Sequence, residues 1–369
     1  MPPINTSTDG ASKADTSQTS TIEFLRQRED ARLKQVQSIM VSNDISLGQE
    51  KFKIPAFNEV TFEQLEPRFN YVLNNIRRPQ HAAGETICLC PDGDCNTNDC
   101  SCYTRSTIKL KNNKVKDLNK LLNQPMEILM LECRRNCACK GKCKNVFTSQ
   151  QVQFRTELHY FENKGYGIRT RDYIPKGSFF CEFVGELLLG HERTNNVRYQ
   201  YSIQNKGDEE SMPVIDAKLT SNISRFINHS CDPSLSPFIF VRSTKSSIRF
   251  PQIGFVANQD IIAGQEVTIS YGNGYWELSG MECYCGRTKC IKPSIETKFS
   301  NKAEFDRAEL EEKEETSRNQ QLVDEYRRCK QRMEMIKQGF TVKEVFDREA
   351  KRIEKKKKVT IKTEGSSTT

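Results

Sequence analysis

No run in this 369-residue sequence approaches the roughly 18 apolar residues that a membrane-spanning helix requires. The first 20 residues, MPPINTSTDGASKADTSQTS, contain no apolar h-region, so no secretory signal is expected there. There is no internal repeat, and residues 152–275 carry no sustained helical period. These absences argue against an integral membrane protein and leave 152–275 to short strands rather than helices. Cysteine, by contrast, is abundant. Fifteen is an odd number, and without an export signal the chain is expected in a reducing compartment, where cysteines more often bind metal than pair as disulfides. Only 36% of residues are hydrophobic and 28% are charged, so a packed core has to lie between polar ends.

The cysteines divide the chain. Nine fall between Cys88 and Cys143 and three between Cys283 and Cys290, while Cys181, Cys231 and Cys329 stand alone. Residues 1–50 then read as a disordered Ser/Thr-rich start followed by an amphipathic helix over 21–41. Ser20 and Glu23 form its capping box, and Ile22, Leu25, Leu33, Val36 and Met40 recur at helical spacing. Residues 51–150 hold the cysteine block. Residues 151–275 read as many short strands, with β-branched and apolar runs broken by turns such as IPKG and IAGQ. Residues 276–295 form a short cysteine-rich coda. Residues 296–369 are rich in Glu, Lys, Arg and Gln and read as two helices with a basic end. Leu322, Tyr326, Cys329, Met333, Ile336 and Phe340 make a seam of under three heptads, which suits packing within the chain as well as dimerisation. Gly339 suits a helix end, Thr341 with Glu344 the next N-cap, and Phe340 can staple onto Val345. The run KRIEKKKK at 351–358 fits a nuclear import signal, a nucleic-acid patch or a solvated helix end.

Zinc arithmetic organises the cysteines. The first block reads Cys88-x-Cys90-x4-Cys95-x4-Cys100-x-Cys102, then Cys133-x3-Cys137-x-Cys139-x3-Cys143. A structural zinc takes four ligands, and nine thiolates cannot fill two sites evenly. Three ions need twelve bonds, which six terminal and three shared sulfurs supply, so a three-zinc cluster is the economical reading. The coda Cys283-x-Cys285-x4-Cys290 is one ligand short of a fourth site, and Cys231 is the candidate to complete it. Thirteen thiolates and four zinc ions lower the formal net charge of +8 to about +3, so overall basicity is weak support for nucleic-acid binding.

Two patterns in the middle stand out. Lys164-Gly165-Tyr166-Gly167 is a turn where backbone can approach a ligand closely. Arg225-Phe226-Ile227-Asn228-His229-Ser230-Cys231 is polar inside a β-like domain, and Ile269-Ser270-Tyr271-Gly272 ends a strand. A pocket of aromatics, Asn and His suits a small ligand. KGYGIRT, IPKGSFFCEFVGELL, IDA at 215–217, NISRFINHSCDP and ISYG, in this order, resemble a SET domain. The nine-cysteine block resembles a pre-SET domain and the coda a post-SET segment. Together, over roughly residues 60–292, they resemble the histone lysine methyltransferases of the suppressor-of-variegation class.

The resemblance implies a mainly β fold of short strands with flanking helices. A zinc-cluster domain would precede it, a helical tail would follow, and the C-terminal segment would cross beneath the NHSC run like a pseudoknot. It implies S-adenosylmethionine as methyl donor, a histone H3 tail or nucleosome as partner with lysine-9 the favoured target, and a nuclear, chromatin location. By position it assigns Lys164, Gly165, Tyr166, Tyr199, Arg225, Asn228 and His229 to the cofactor, and Tyr271 with Tyr199 to catalysis. Zinc would be held by Cys88, Cys90, Cys95, Cys100, Cys102, Cys133, Cys137, Cys139 and Cys143 in a three-ion cluster, and by Cys231, Cys283, Cys285 and Cys290 in a fourth site.

The residue types suit that chemistry. Direct methyl displacement needs alignment and a neutral lysine more than a strong base. Tyrosine hydroxyls orient an amine without a competing charge. The chain departs from the family at Tyr166, where tryptophan is usual, and at Ser270, where aspartate is common. It also has Ile269 where Phe or Tyr influences the product state. Ile269 is smaller and has no hydroxyl, so di- and trimethylation are both expected to be open. Rival readings are a catalytically silent chromatin scaffold, a methyltransferase for a non-histone lysine, and a zinc-rich nucleic-acid binder using 351–358. The terminal helices offer surfaces to chromatin proteins. Asp208-Glu209-Glu210 reads as a solvated acidic loop.

Overall fold

The structure is a computed structural model. It describes residues 40–60, 65, 69–77, 95, 100, 102–103, 106–107, 110–111, 114–115, 117–123, 128–133, 137–143, 145–193, 198–202, 213–241, 251–288, 290 and 302–351. Residues 21–39 of the expected helix, Cys88, Cys90, the acidic run 208–210 and nearly all of 351–358 lie outside the described residues, while Met40 and Val41, expected at the end of that helix, instead begin a strand, Met40–Ser42, because their backbone pairs with Ala56–Phe57. Two compact units are present, Met1–Gly286 and Arg287–Thr369. Among the described residues, no helix is long and apolar enough to cross a membrane.

The first unit is built of short strands, as the Gly/Pro punctuation predicts. A six-stranded sheet runs in the order Met40–Ser42, Ala56–Phe57, Thr156–Phe161, Gly165–Thr170, Glu266–Ile269 and Asn228–His229. A second sheet orders Phe179–Phe183, Gln252–Ala257, Leu235–Val241 and Ile128–Leu131, and a third orders Gln200–Ser202, Pro213–Asp216, Glu186–Leu189 and Ile76–Arg77. Gly177 takes φ +80° in the IPKG turn, a conformation that a Cβ would oppose. Phe180, Phe255, Leu158, Ile168, Leu187 and Ile215 form the shared core, each buried ring or aliphatic chain contributing about 1.5–3 kcal/mol relative to exposure. Cys181 belongs to that core and Cys329 to the second unit's long helix, as their lack of a partner pattern predicts.

The cysteine block is stitched into this β structure. Its strand Ile128–Leu131 pairs in parallel with Leu235–Val241. Phe147, Phe179 and Phe238 pack edge to face or tilted, with centroids 5.7–6.2 Å apart. The buried Glu132 carboxylate accepts from the backbone N–H groups of Phe147 and Thr148 at 2.7 Å each, and from the Thr148 hydroxyl at 2.6 Å. A buried carboxylate persists where donors surround it in this way.

The C-terminal crossing is explicit. Strand Glu266–Ile269 runs antiparallel to Gly165–Thr170 on one side and parallel to Asn228–His229 on the other. Ser234 N–H donates to the Thr268 hydroxyl and Thr268 N–H to the Ser234 hydroxyl, at 3.2 and 3.0 Å. The 266–271 segment is thus fastened along the 227–234 run.

The second unit is helical. Lys302–Lys337 forms one long helix, and helical structure resumes over 342–351. Gly339 takes φ +95° between them, and Thr341 and Glu344 make the expected capping box: Glu344 N–H donates to the Thr341 hydroxyl, and Thr341 N–H to the Glu344 carboxylate.

Candidate active site

The first unit encloses a cavity of about 850 Å³, with Lys164, Tyr199, Asn228, His229, Ile269 and Tyr271 among its lining residues. Gly165, Tyr166 and Arg225 line it as well. Side chains singled out more than 100 residues apart in the sequence therefore share one space. The sheet order accounts for it: the KGYG turn, the end of strand Glu266–Ile269 and the start of the NHSC run are neighbours.

Tyr271 is held from three sides. Its hydroxyl donates to the Ile227 carbonyl at 2.8 Å, and its own N–H donates to His229 Nδ1 at 3.0 Å. The Tyr275 ring meets it edge-on at 4.7 Å, and Trp276 lies stacked at 6.3 Å. Burial first, then the nearby Tyr275, Tyr199 and Glu266, raises the Tyr271 pKa, so the phenol keeps its proton at neutral pH. Since His229 Nδ1 accepts a hydrogen bond, Nε2 carries the proton and faces Cys231 Sγ at 3.3 Å. Burial pushes the His229 pKa down to about 4, so this imidazole is neutral.

Arg225 does a different job from a simple cavity wall. Its guanidinium donates to the carbonyls of Ala217 and Lys218 at 3.1 Å each, and lies 4.4 Å from the Phe69 ring centre and 4.5 Å from that of Tyr199. Tyr199 has φ +65°, an uncommon value for a residue with a Cβ. The cation–π contact and the bond from Ala217 N–H to the Tyr199 carbonyl, 2.8 Å, hold it there.

Sequence reasoning missed Glu266. Its carboxylate bridges Lys164 Nζ at 2.5 Å and Asn228 Nδ2 at 3.0 Å, tying two cavity-lining residues together. Gly167 leaves room for the bridge, because a Cβ there would lie 2.5 Å from Asn228 Nδ2 and 2.7 Å from Glu266 Oε1. Tyr201, Tyr275 and Trp276 also line the cavity and were missed. Residue type gives no signal for Glu266: strand alternation sets it on the face opposite the cavity-lining Ile269, and it reaches the site only through Lys164 and Asn228.

The cysteines gather as metal sites would require. The sulfurs of Cys95, Cys133, Cys139 and Cys143 all lie within 4.8 Å of one another, as do those of Cys100, Cys102 and Cys133. Cys133 belongs to both groups, the position of a shared sulfur, and Cys137 packs in the same buried cluster. Cys231, Cys283 and Cys285 make another such group, with Cys231 and Cys283 sulfurs 3.9 Å apart. A tetrahedral zinc with Zn–S of about 2.3 Å sets its sulfurs about 3.8 Å apart, so the donor sets fit. Cys290 belongs to the second unit.

A Pre-SET motif model matches residues 46–146, and a SET domain model matches residues 165–272. The chain belongs to the SET-domain family of the suppressor-of-variegation class. Human histone-lysine N-methyltransferase EHMT1 is 33% identical over 262 residues, which is 68% of this chain and 20% of that protein. The H3 lysine-9 specific histone-lysine N-methyltransferase SUVH4 of Arabidopsis thaliana is 28% identical over 296 residues, 69% of this chain and 47% of that one. The chain thus spans about a fifth to a half of the length of these relatives. The crystal structure of Arabidopsis thaliana SUVH6 in complex with SAM superposes with a TM-score of 0.59 at 28% identity, covering 69% of this chain and 56% of the other.

The Glu266 bridge of this SET domain makes a direct prediction. Glu266→Gln removes the charge between Lys164 and Asn228, and on the S-adenosylmethionine reading proposed below it is expected to weaken cofactor binding about 10- to 100-fold, the worth of a charge-assisted bond. Calorimetric titration checks it, and an affinity within twofold of wild type would remove Glu266 from the site.

Proposed function

We propose that this chain is an S-adenosylmethionine-dependent protein lysine methyltransferase that acts on the histone H3 tail, with lysine-9 the favoured target, in the chromatin of the nucleus. The observation that carries the reading is the neutral, aromatic end of the cavity. Tyr271 and His229 are both uncharged at physiological pH, and Tyr199, Tyr271 and Tyr275 surround the same space. The cavity volume and the Lys164–Glu266–Asn228 bridge beside it suit a bulky zwitterionic nucleoside. When bound, S-adenosylmethionine supplies a sulfonium methyl that an amine can displace.

The chain's own residues do the rest. Lys164, Gly165, Tyr166, Asn228 and His229 hold the cofactor, and Arg225 fixes Tyr199. Tyr199 and Tyr271 orient the incoming amine, their hydroxyl oxygens accepting hydrogen bonds from its N–H groups. The apolar surround disfavours the ammonium form and keeps the lone pair free. Alignment, more than proton abstraction, is the catalytic contribution. Zinc would sit as three ions among Cys88 to Cys143, and as one at Cys231, Cys283 and Cys285, with Cys290 the fourth ligand expected from spacing. The name of SUVH4 supports lysine-9 as target.

The test is transfer of labelled methyl from S-adenosylmethionine to recombinant nucleosomes and free histones. Label on H3 at lysine-9 is the expected result. A zinc-loaded chain that binds cofactor but labels no histone would overturn the reading in favour of a silent scaffold or a non-histone substrate. The product state is a further expectation. Ile269 is buried, lines the cavity and brings no hydroxyl. Mass spectrometry should find di- and trimethyl-lysine from the wild type, and a shift to monomethyl-lysine from Ile269→Tyr. Strictly monomethylated product from the wild type at long times would sink this.

A further inference from the structure

Glu312 lies in an acidic run of the helix Lys302–Lys337, between Glu309 and Glu315. One neighbour in that run behaves as a helix-surface acid does: Glu309 pairs with Lys313, one turn on, at 2.8 Å. Glu312 instead reaches back 24 residues, to the end of the cysteine coda. Its Oε2 accepts from the Thr288 N–H at 3.1 Å and from the Thr288 hydroxyl at 2.6 Å. The Arg287 guanidinium lies 3.7 Å from its other oxygen and 3.9 Å from the Glu315 carboxylate. Thr288 is buried, and the Glu312 side chain is only 25% exposed. The Cys290 N–H donates to the Arg287 carbonyl at 3.1 Å, so the last cysteine of the coda is tied to the pair of residues that Glu312 grips. All of them belong to the helical unit.

We propose that Glu312 is a positioning residue for the single-zinc site: by fixing Arg287 and Thr288, the long helix presents Cys290 to the metal. This role rests on Cys290 being that zinc's fourth ligand, as proposed above. The coda needs such a hold. Gly286 takes φ +74°, so the chain bends directly after Cys285, at a residue with no side chain to fix its course. A hydroxyl donating to a carboxylate at this length is one of the stronger hydrogen bonds, and it comes from a helix that is already formed. Contacts one step behind a metal ligand orient it and carry a large share of the affinity. The sign of the charge shows how Glu312 acts. A zinc site rich in thiolates is itself negative, so a carboxylate brings no attraction to it, and Arg287 offsets the added charge. Glu312 therefore works by accepting hydrogen bonds, and a neutral acceptor of the same shape should serve as well.

The test is the zinc content of the full chain after dialysis against buffers that clamp free zinc over a range, with Cys290→Ser marking loss of the site. Glu312→Ala should shift the loading of one zinc to about 10- to 100-fold higher free zinc. The remaining zinc and the helical circular dichroism should not change, alanine being the best helix former. The free zinc that half-restores methyl transfer should rise by the same factor. Glu312→Gln, which keeps the acceptor oxygen, should load as wild type does, and so should Glu311→Ala, an exposed acid on the same turn. Thr288→Val should weaken the same ion, and adding it to Glu312→Ala should cost less than about a further twofold, because both remove one contact. Loading of Glu312→Ala within about twofold of wild type overturns the proposal. A Glu312→Gln that loads no better than Glu312→Ala overturns it too, as does a fully additive double variant. Cys290→Ser that holds as much zinc as wild type overturns it at its premise, the fourth ligand. Loading is read without turnover, so it decides the role of Glu312 even for a chain that methylates nothing.

Discussion

Tyr271→Phe is expected to lower the rate of methyl transfer about 10²- to 10³-fold, while zinc content and cofactor affinity stay near wild type. The substitution removes one oxygen. That oxygen donates to the Ile227 carbonyl at 2.8 Å and faces the space shared with Tyr199 and Tyr275. The ring itself stays anchored, because Tyr275 and Trp276 pack against it and its N–H still reaches His229. Loss of the hydroxyl therefore acts on the geometry of the amine and not on the fold. Single-turnover transfer with saturating cofactor separates the two. A variant as active as wild type would show that this hydroxyl takes no part in the reaction. A variant that also loses its zinc or melts earlier would show that the Ile227 bond is structural.

The second large effect concerns the cysteines, where two single substitutions should behave in opposite ways. Cys133→Ser is expected to strip most of the zinc from the pre-SET block and to unfold it. Cys133 alone belongs to both described sulfur groups, and structural zinc contributes on the order of 10 kcal/mol of folding free energy per ion. Loss of the block would also unsettle the sheet, since Ile128–Leu131 is paired with Leu235–Val241 and Glu132 satisfies Phe147 and Thr148. Cys285→Ser should instead lose one zinc, stay folded and lose activity. Its site includes Cys231, whose sulfur faces His229 Nε2, and His229 accepts from the Tyr271 backbone. The proposed single-zinc site is thus two hydrogen bonds from Tyr271, the proposed catalytic tyrosine. Metal analysis, circular dichroism and methyl transfer on both variants decide the matter. A zinc content of one or two ions in the wild type would refute the cluster, and full activity of Cys285→Ser would refute the link to Tyr271.

Much of this site is legible in the sequence. The residues with unusual local chemistry stood out as short runs: Lys164 to Gly167, Arg225 to Cys231, and Tyr271 after its strand. Cys231 emerged from a ligand shortage, and its sulfur indeed lies 3.9 Å from that of Cys283. Thr341 and Glu344 were readable because a capping box is a local device. What stayed hidden depends on neighbours across strands. Glu266 looks like one more surface acid until Lys164 and Asn228 flank it, and that follows only from the sheet order. The work of Arg225 was hidden likewise, because its aromatic partners Phe69 and Tyr199 are distant in sequence. The positive φ of Tyr199 has no signature in residue type at all.

The crossing of Glu266–Ile269 between two earlier strands also sets the order of events during synthesis. This strand joins partners roughly 100 and roughly 40 residues before it, contacts that cost loop-closure entropy before they repay it and that slow folding. Until the ribosome has released residues 266–286, the nascent chain carries the KGYG turn and the NHSC run without the segment that lies between and beneath them. Their sheet edges stay open over that interval, which makes this stretch of translation the protein's window of exposure to aggregation and to chaperones.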